Sequence, residues 1–409
     1  MITELNTHES RAAAEVEAIN QVARQGESIK IGILTPLTGP GDPMAGELFI
    51  RGACLGAEYI REHGGVRNGK QLEFVVQNDQ ATAASEGMPR SSVAGLARLA
   101  MVDNVFCVIG QWHLRTAEIV SKTAELLGVP IFIENGHNTI TMQQRRTLFR
   151  TYFTIADRVP LMLRFMVEQK MRRVAVLAAN TVFGLMIADT IEQFNQKLGC
   201  NLELLRFDFD QESTTDVYDQ LRCVKDFKPD LIVNAGVVRT NYMIINQAAE
   251  LGLRPGVPMM ATFPFPLRSD DYWRLAGENG NLMVWVSTYY RPSWTGLRKI
   301  GRWFTNRYVE KYGNFPPDNT LNAFTDVTII AQALELARDE TRTDLIEALE
   351  SGEFDTWRGA VRFLRENDQW HHSSPELVLM QYQQVGQNFD DAPIIYPAEA
   401  RTHQYVAPA

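Results

Sequence analysis

The sequence predicts an α/β protein in which two similar sets of strands and helices form two lobes. From Lys30 onward, short runs of β-branched apolar residues alternate with longer segments that carry apolar residues at helical spacing. The alternation occurs over about residues 29–150 and again over about residues 151–283. Strands that alternate with helices predict parallel sheets covered on both faces, and right-handed crossovers then fix most of the winding.

The predicted strands are short apolar runs bounded by turn residues, as expected of buried strands. They are Ile29–Thr35, Leu72–Gln77, Val105–Gly110, Val129–Ile133, Arg173–Ala178, Leu231–Asn234, Met259–Ala261 and Asn281–Val286. The predicted helices lie between and after them, at Gly46–His63, Ala83–Met101, Arg115–Leu127, Val159–Gln169, Val182–Leu198, Thr214–Phe227, Thr240–Leu251, Gly296–Lys311 and Leu321–Arg338.

The first strand, turn and helix carry the clearest functional signal. The strand Ile29–Thr35 ends in a turn rich in Pro, Thr and Gly, and the helix that follows ends at Gly64-Gly65. Units of this kind place their binding chemistry in the first turn. This turn has no G-x-G-x-x-G or P-loop pattern, so the sequence indicates a ligand other than a nucleotide and no cofactor.

Composition excludes several classes of partner. The formal net charge of −9 argues against nucleic acid or an anionic membrane surface as a partner. No run approaches the roughly 18 apolar residues that a membrane-spanning helix needs. The segment before Ser28 is polar and alanine-rich, without the apolar core of an export signal, so the compartment stays open at this stage.

The cysteines do not form a disulfide or metal-binding pattern. Cys54 and Cys107 lie in apolar patterns and are predicted to be buried free thiols. Cys200 and Cys223 could pair only if the fold brought them together. No hydrolase, zinc-protease or nucleotide motif is present, and His371-His372 lacks an obvious third metal ligand, so we expect neither an enzyme nor a metal site.

An ordered set of segments resembles the type I periplasmic binding proteins, and most closely the Leu/Ile/Val-binding family of ABC-transporter solute receptors. The segments are IKIGILTPLTGP, GACLGAEYIREHGGVRNGKQLEFVVQNDQ, VFCVIG, LGVPIFIENG and VAVLAANTVFG, within a resemblance that covers about Lys30 to Gln387. The resemblance implies two Rossmann-like lobes with parallel sheets, joined by three crossover strands, that close over a small solute held in the cleft between them.

The domain boundaries are predicted from this resemblance. Residues 1–28 form an N-terminal extension, and residues 396–409 form a tail. The first lobe is predicted to comprise residues 29–150 and about 284–360, and the second lobe residues 151–283 and about 361–395.

In the first lobe, the candidate ligand-binding residues follow two neighbouring strands. They are Trp112, His113, Leu114 and Arg115 after one strand, and Asn135, Gly136 and His137 after the next. Amino-acid receptors of the family hold the solute carboxylate with a serine in the first turn and a threonine in the second. Counted from Gly110, those positions fall on Leu114 and His137, so this chain departs from the family pattern at both.

The second lobe departs from the pattern too. Phe183 keeps the ring of a ligand-facing tyrosine without its hydroxyl, Val237 falls at a further tyrosine position, and Phe263 falls near the acidic residue that pairs with the ammonium group. A buried ammonium without a carboxylate partner costs several kcal/mol. We therefore expect a carboxylate or amide with an apolar or aromatic body rather than a plain amino acid. Arg158 could contact the solute or stabilise the hinge.

Two functions remain open from the sequence. One is a solute receptor that works with the membrane permease of an ABC importer, in the periplasm by resemblance. The other is a cytoplasmic sensor, similar to the amide-sensing regulators, that uses the same lobes to control a partner protein.

Overall fold

The computed structural model describes residues 2–38, 43–80, 90–237, 239–262, 267, 271–290, 297–366 and 370–408. The chain divides into two compact units. Unit 1 comprises Met1–Thr154 and Trp294–Pro375, and unit 2 comprises Ile155–Ser293 and Glu376–Ala409. The chain therefore passes between the units three times, after Thr154, Ser293 and Pro375.

Helices and strands alternate along most of the chain, as expected for the α/β class. The helices are α1 Ile2–Ala23, α2 Pro43–Glu62, α3 Arg90–Met101, α4 Leu114–Leu127, α5 Ile155–Glu168, α6 Val182–Lys197, α7 Tyr218–Phe227, α8 Arg239–Glu250, α9 Tyr272–Ala276, α10 Lys299–Tyr312, α11 Asp318–Leu336 and α12 Arg342–Ser351. The strands are β1 Ser28–Thr35, β2 Gln71–Asn78, β3 Cys107–Gly110, β4 Ile131–Ile133, β5 Leu148–Phe149, β6 Arg173–Ala179, β7 Glu203–Phe209, β8 Leu231–Ala235, β9 Met259–Ala261, β10 Met283–Thr288, β11 Phe354–Thr356, β12 Gly359–Val361, β13 Leu377–Gln381 and β14 Ile394–Tyr396.

Unit 1 is built on a parallel sheet. In the part of the chain that the structure describes, its strand order is β2-β1-β3-β4-β5. Apart from the outer strand β2, which is mostly half-buried, the strands are nearly continuous runs of buried apolar residues, as expected when helices cover both faces of a sheet. Since β3 and β4 are neighbours and run in the same direction, the turns that follow them lie at the same edge of the sheet.

The segment predicted as an N-terminal extension is instead mostly helical and belongs to unit 1. Along α1, Ala12, Val16 and Ile19 are buried in the core of this unit. Asn20 pairs with both backbone groups of Phe74: its Nδ2 donates to the carbonyl at 2.8 Å, and its Oδ1 accepts from the N–H at 2.8 Å. Because β2 is the outer strand of the sheet, α1 satisfies backbone groups that an edge strand otherwise leaves exposed.

Unit 2 contains a mixed sheet of strand order β14-β13-β10-β9-β8-β6-β7 over the described residues. β10 pairs in parallel with β9 and antiparallel with β13, so β10 belongs to the sheet of unit 2. The chain therefore leaves unit 2 after Ser293, whereas the prediction placed this boundary near residue 284. The last residues pack on the same unit, since Gln381 pairs with Val406 through bonds of 2.8 and 3.0 Å. Residues 396–409 are therefore part of unit 2, and residues 361–375 part of unit 1.

The predicted strands agree with observed strands to within two residues at each end. Part of the predicted helix Ala83–Met101 falls on residues outside the described ranges. The prediction missed β7, an outer strand in which Glu203 and Asp208 are exposed and the half-buried Arg206 interrupts the apolar run. It also missed α1, α9, α12, β5 and the strands after β10.

The cysteines of unit 1 agree with their prediction, since Cys54 and Cys107 are buried and free. Cys200 is buried and Cys223 exposed, and these two do not pair. Among the described residues, no helix is both long enough and apolar enough to cross a membrane, and no group of three or more His, Cys, Asp or Glu side chains could hold a metal ion.

Replacing Asn20 by Ala should lower the free energy of unfolding by about 1–3 kcal/mol, because two buried backbone groups of Phe74 lose their partner. Urea denaturation monitored by circular dichroism measures the change. Gln21→Ala, at an exposed position of the same helix, is the matched control and should change stability by no more than about 0.5 kcal/mol. Equal effects of the two substitutions would show that α1 does not support β2 through Asn20.

Candidate functional site

The turn after β3 begins with a tightly constrained backbone. Gly110 has a φ of +107°, and a Cβ at this position would lie 2.4 Å from the carbonyl oxygen of Leu34. Gln111 follows with a φ of +68°, which costs energy for a residue with a side chain. Its N–H donates to the same Leu34 carbonyl at 2.6 Å. This bond holds the turn against β1 and supports the unusual conformation.

Gln111 also joins the turn after β3 to the turn after β4. Asn135 Nδ2 donates to Gln111 Oε1 at 2.9 Å and to the Gln111 carbonyl at 3.2 Å. Gln111 Nε2 donates to the carbonyl of His113 at 2.7 Å and also bonds the hydroxyl of Thr116. Both amide side chains are buried. Asn135, a predicted solute contact, makes this bridge between the two turns, and the sequence offered no signal for Gln111.

Helix α4 begins at this edge of the sheet, where the N–H of Thr116 donates to the carbonyl of His113 at 3.2 Å and the N–H groups of Leu114 and Arg115 have no acceptor among the described residues. Its N-cap residue, His113, makes no capping bond with its side chain, although it is buried. The first N–H groups of any helix have no partner within the helix, and the helix dipole adds partial positive charge there. Leu114 is half-buried and Arg115 exposed in this first turn. The half-buried Trp112 ring lies 6.3 Å from the Tyr152 ring, measured between centroids.

The turn after β4 adds a further donor. Gly136 is buried, and its N–H has no acceptor among the residues that the structure describes. Burial, followed by the nearby Arg150, lowers the pKa of His137, so its imidazole is neutral at pH 7. Its Nδ1 faces the N–H of Thr139 at 3.3 Å, which leaves the proton on Nε2 as a possible donor.

Beneath these turns lies a pair of carboxyl groups that the sequence did not indicate. Glu134 follows β4, Asp326 projects from α11, and both are buried. Burial raises the pKa of Glu134 well above its usual range, and the neighbouring Asp326 raises it further. Burial raises the pKa of Asp326 to about 7, although Thr151 donates to its Oδ1 at 2.6 Å and Arg358 lies nearby. The pair therefore holds at least one proton at neutral pH.

In unit 2, a ring and a cation lie together near the ends of parallel strands. Phe183 is half-buried in the first turn of α6, whose N-cap, Thr181, accepts from the N–H of Gly184 at 3.1 Å. The guanidinium carbon of Arg158 lies 5.5 Å from the centroid of the Phe183 ring. Arg158 is buried, and its Nη1 donates to the carbonyl of Thr262 at 2.6 Å.

The two remaining candidates of unit 2 have different outcomes. Val237 is half-buried after β8, where its carbonyl accepts from Gln211 Nε2 at 3.0 Å and its N–H donates to Thr240 Oγ1 at 2.9 Å. Phe263 lies outside the residues that the structure describes. The nearest described position before it is Thr262, which is buried beside Arg158.

The His371-His372 pair has a structural role in unit 1. His371 is buried and stacked on Phe149 with 4.4 Å between ring centroids, and burial lowers its pKa to about 4. His372 Nδ1 accepts from Nε of Arg150 at 3.0 Å. His371 and His372 together fix the end of β5.

A family model described as periplasmic binding protein matches residues 28–387. This chain belongs to the periplasmic binding protein family. Its members are solute-binding receptors rather than enzymes. The match extends over most of unit 1 and unit 2 and includes the turns described above.

The chain is also similar to individual proteins. One is the leucine-, isoleucine-, valine-, threonine- and alanine-binding protein of Pseudomonas aeruginosa, to which it is 23% identical over 361 residues. The matched region covers 87% of this chain and 91% of that protein. A solved structure with the same fold is the branched-chain amino acid transporter substrate-binding protein of Streptococcus pneumoniae, solved with isoleucine. Its TM-score is 0.74 at 19% identity, and the match covers 91% of this chain and 100% of that chain.

A solute-binding protein of an ABC transporter from R. palustris, solved with benzoate, has a TM-score of 0.71 at 18% identity over 91% of this chain and 98% of that chain. These similarities confirm the predicted type I fold and the predicted resemblance to the Leu/Ile/Val-binding family.

The Glu134 and Asp326 pair should make stability depend on pH. Their pKa values are raised on folding, so the folded chain binds more protons than the unfolded chain above about pH 4. The free energy of unfolding should therefore fall as pH rises through about 7, by up to about 1.4 kcal/mol per pH unit for each proton.

Asp326→Asn should flatten this dependence between pH 5 and pH 8, as measured by denaturant unfolding at several pH values. Asp339→Asn, at an exposed carboxylate of unit 1, is the control and should leave the slope unchanged. Parallel pH profiles for the wild-type protein and Asp326→Asn would contradict the raised pKa of the pair.

Proposed function

We propose that this chain is the solute receptor of an ABC importer and that it binds a small carboxylate, or an amide, with an aromatic or apolar body. The observation that carries the proposal is the meeting of two sets of backbone donors at one edge of the unit 1 sheet. These donors are the N–H groups of Leu114 and Arg115 in the first turn of α4, which has no side-chain cap, and the N–H of Gly136. The hydrogen bonds between Gln111 and Asn135 keep them together.

The chemistry of these donors suits an oxyanion. Backbone N–H groups at a helix N-terminus favour negative charge and need no cationic side chain to do so. His137 is neutral and can offer Nε2–H beside the N–H of Gly136. The proposed roles of the candidates after β3 follow from their places in one turn, which contains Trp112, His113, Leu114 and Arg115. The indole of Trp112 supplies apolar surface, and the backbone of the first turn of α4 supplies hydrogen-bond donors.

The side chains of unit 2 favour a solute with an aromatic or apolar body and disfavour a solute with an ammonium group. The guanidinium of Arg158 lies beside the Phe183 ring and the carbonyl of Thr262, in the neighbourhood where the resemblance places the acidic partner of an ammonium. A cation there repels an ammonium group rather than pairing with it. The Phe183 ring offers a face for stacking. A plain amino acid bound in the usual way of the family is therefore disfavoured.

The solved structures show that proteins of this fold hold both kinds of solute. Apart from the proteins solved with isoleucine and with benzoate, others are solved with 4-hydroxybenzoate and with 3,4-dihydroxybenzoic acid. An aromatic acid is thus compatible with the fold. The family also supports a membrane permease as the partner and the periplasm as the location, while no comparison supports the cytoplasmic sensor.

Benzoate should raise the melting temperature of the purified chain, whereas leucine should leave it nearly unchanged, because a ligand that binds only the folded state stabilises it. Benzamide tests the amide alternative, and benzyl alcohol is the matched control that lacks the acyl oxygen. Differential scanning fluorimetry followed by calorimetry gives the ranking and the affinities. A larger shift with leucine than with benzoate and benzamide would overturn the proposed solute class.

Phe183→Leu should weaken binding of the aromatic acid about three- to tenfold, because the aromatic contact contributes about 0.5–1.5 kcal/mol beyond simple burial. Phe194→Leu is the matched control, since Phe194 lies on the same helix and its ring packs under Lys197. Isothermal titration calorimetry measures both variants. The same affinity in Phe183→Leu as in Phe194→Leu would remove Phe183 from the site.

A further inference from the structure

Arg150 lies directly after β5 and is buried beneath the turn that follows β4. Its backbone is held on both sides: its N–H donates to the carbonyl of His371 at 3.0 Å, and its carbonyl accepts from the N–H of Ser373 at 2.9 Å. The side chain therefore starts from a fixed point. It was not among the residues that the sequence indicated, because a single arginine after a short strand is an ordinary surface pattern.

The guanidinium of Arg150 makes hydrogen bonds in several directions. Nη1 donates to the carbonyl of His137 at 2.7 Å and to that of Asn135 at 3.4 Å. Nη2 donates to Thr141 Oγ1 at 2.8 Å, and Nε donates to His372 Nδ1 at 3.0 Å. A planar guanidinium held by all three of its nitrogens has one orientation, so it fixes the direction of both carbonyls.

The direction of a carbonyl determines the direction of the next N–H. In a planar trans peptide, the C=O of one residue and the N–H of the following residue point in opposite directions. Because Arg150 draws the carbonyl of Asn135 toward itself, the N–H of Gly136 points away from the guanidinium. That N–H has no acceptor among the described residues and lies on the turn joined to the first turn of α4 through Asn135 and Gln111.

We propose that Arg150 is a positioning residue for solute recognition: it fixes the turn after β4 so that the N–H of Gly136 is presented to the oxyanion or acyl oxygen of the solute. Arg150 acts through the carbonyls of Asn135 and His137 and does not itself contact the solute. This inference rests on the proposed function for its effect on affinity. The orientation of the peptide group can be tested without any solute.

Selective labelling isolates the peptide bond in question. With ¹³C-carbonyl asparagine and ¹⁵N-glycine, only Asn-Gly bonds give a signal, and the sequence has three of them, at Asn68-Gly69, Asn135-Gly136 and Asn279-Gly280. In Arg150→Gln and Arg150→Lys, the Asn135-Gly136 signal should move while the other two stay. Arg342→Gln is the matched control, because Arg342 also donates to backbone carbonyls of unit 1, those of Val105 and Ala100, before β3 begins.

Affinity is measured with benzoate as the probe. Arg150→Gln should raise Kd about tenfold or more, as expected for losing hydrogen bonds from a charged group, and Arg150→Lys should restore part of the loss. Arg342→Gln should lower stability without changing Kd. If Arg150→Gln does not fold, Thr141→Val provides the test, since it removes the acceptor of Nη2 and leaves the guanidinium in place.

The outcomes separate the two proposals. A shifted Asn135-Gly136 signal with weakened benzoate binding supports the positioning role. An unmoved signal and a Kd within twofold of the wild-type value, in whichever of these variants fold, overturns it. If the wild-type chain binds no acid or amide, the proposed function fails, and the Asn135-Gly136 signal alone decides whether Arg150 orients the turn.

Discussion

The candidate site of unit 1 depends on the hydrogen bonds between the Gln111 and Asn135 side chains. Parallel strands bring the ends of β3 and β4 to one edge of the sheet, but adjacency alone does not fix two turns relative to each other. The paired amides do so, with Asn135 donating to Gln111 at 2.9 Å and Gln111 donating onward to the carbonyl of His113. The first turn of α4 and the N–H of Gly136 are consequently presented as one set of donors.

Below these turns, unit 1 contains charged groups that are expensive to bury. Glu134 and Asp326 avoid two adjacent negative charges by holding a proton at neutral pH, and Arg358 offsets the charge that remains. Arg150 places its guanidinium against two carbonyls of the same turn. Buried polar groups of this kind contribute little net stability but strongly restrict geometry when their hydrogen bonds are made. The turn after β4 is therefore supported by buried side chains that are not among the candidate ligand-binding residues.

The predicted departures from the amino-acid-binding pattern can be compared with the chemistry of each unit, considered separately. Unit 1 replaces hydroxyl donors by backbone groups and a neutral imidazole, which still suit an oxygen-bearing solute. Unit 2 sets Arg158 beside Phe183, which suits a ring and opposes an ammonium. The proposed solute class, an acid or amide with an apolar body, rests on these two features. The family determines what kind of protein this is, and the solute remains the subject of the proposal.

The sequence by itself determined the α/β class, the positions of eight strands and the two turns that carry the candidate site. These follow from local periodicity and from where apolar runs stop, which a single chain displays directly. It could not assign α1 to unit 1 or reveal β7, because an amphipathic end segment and a half-exposed edge strand lack a continuous apolar run. Only the tertiary structure brought Gln111 to Asn135, Glu134 to Asp326 and Arg150 to the turn after β4. Polar residues far apart in the sequence become partners only when packing removes them from water, so their roles depend on burial that no local pattern encodes.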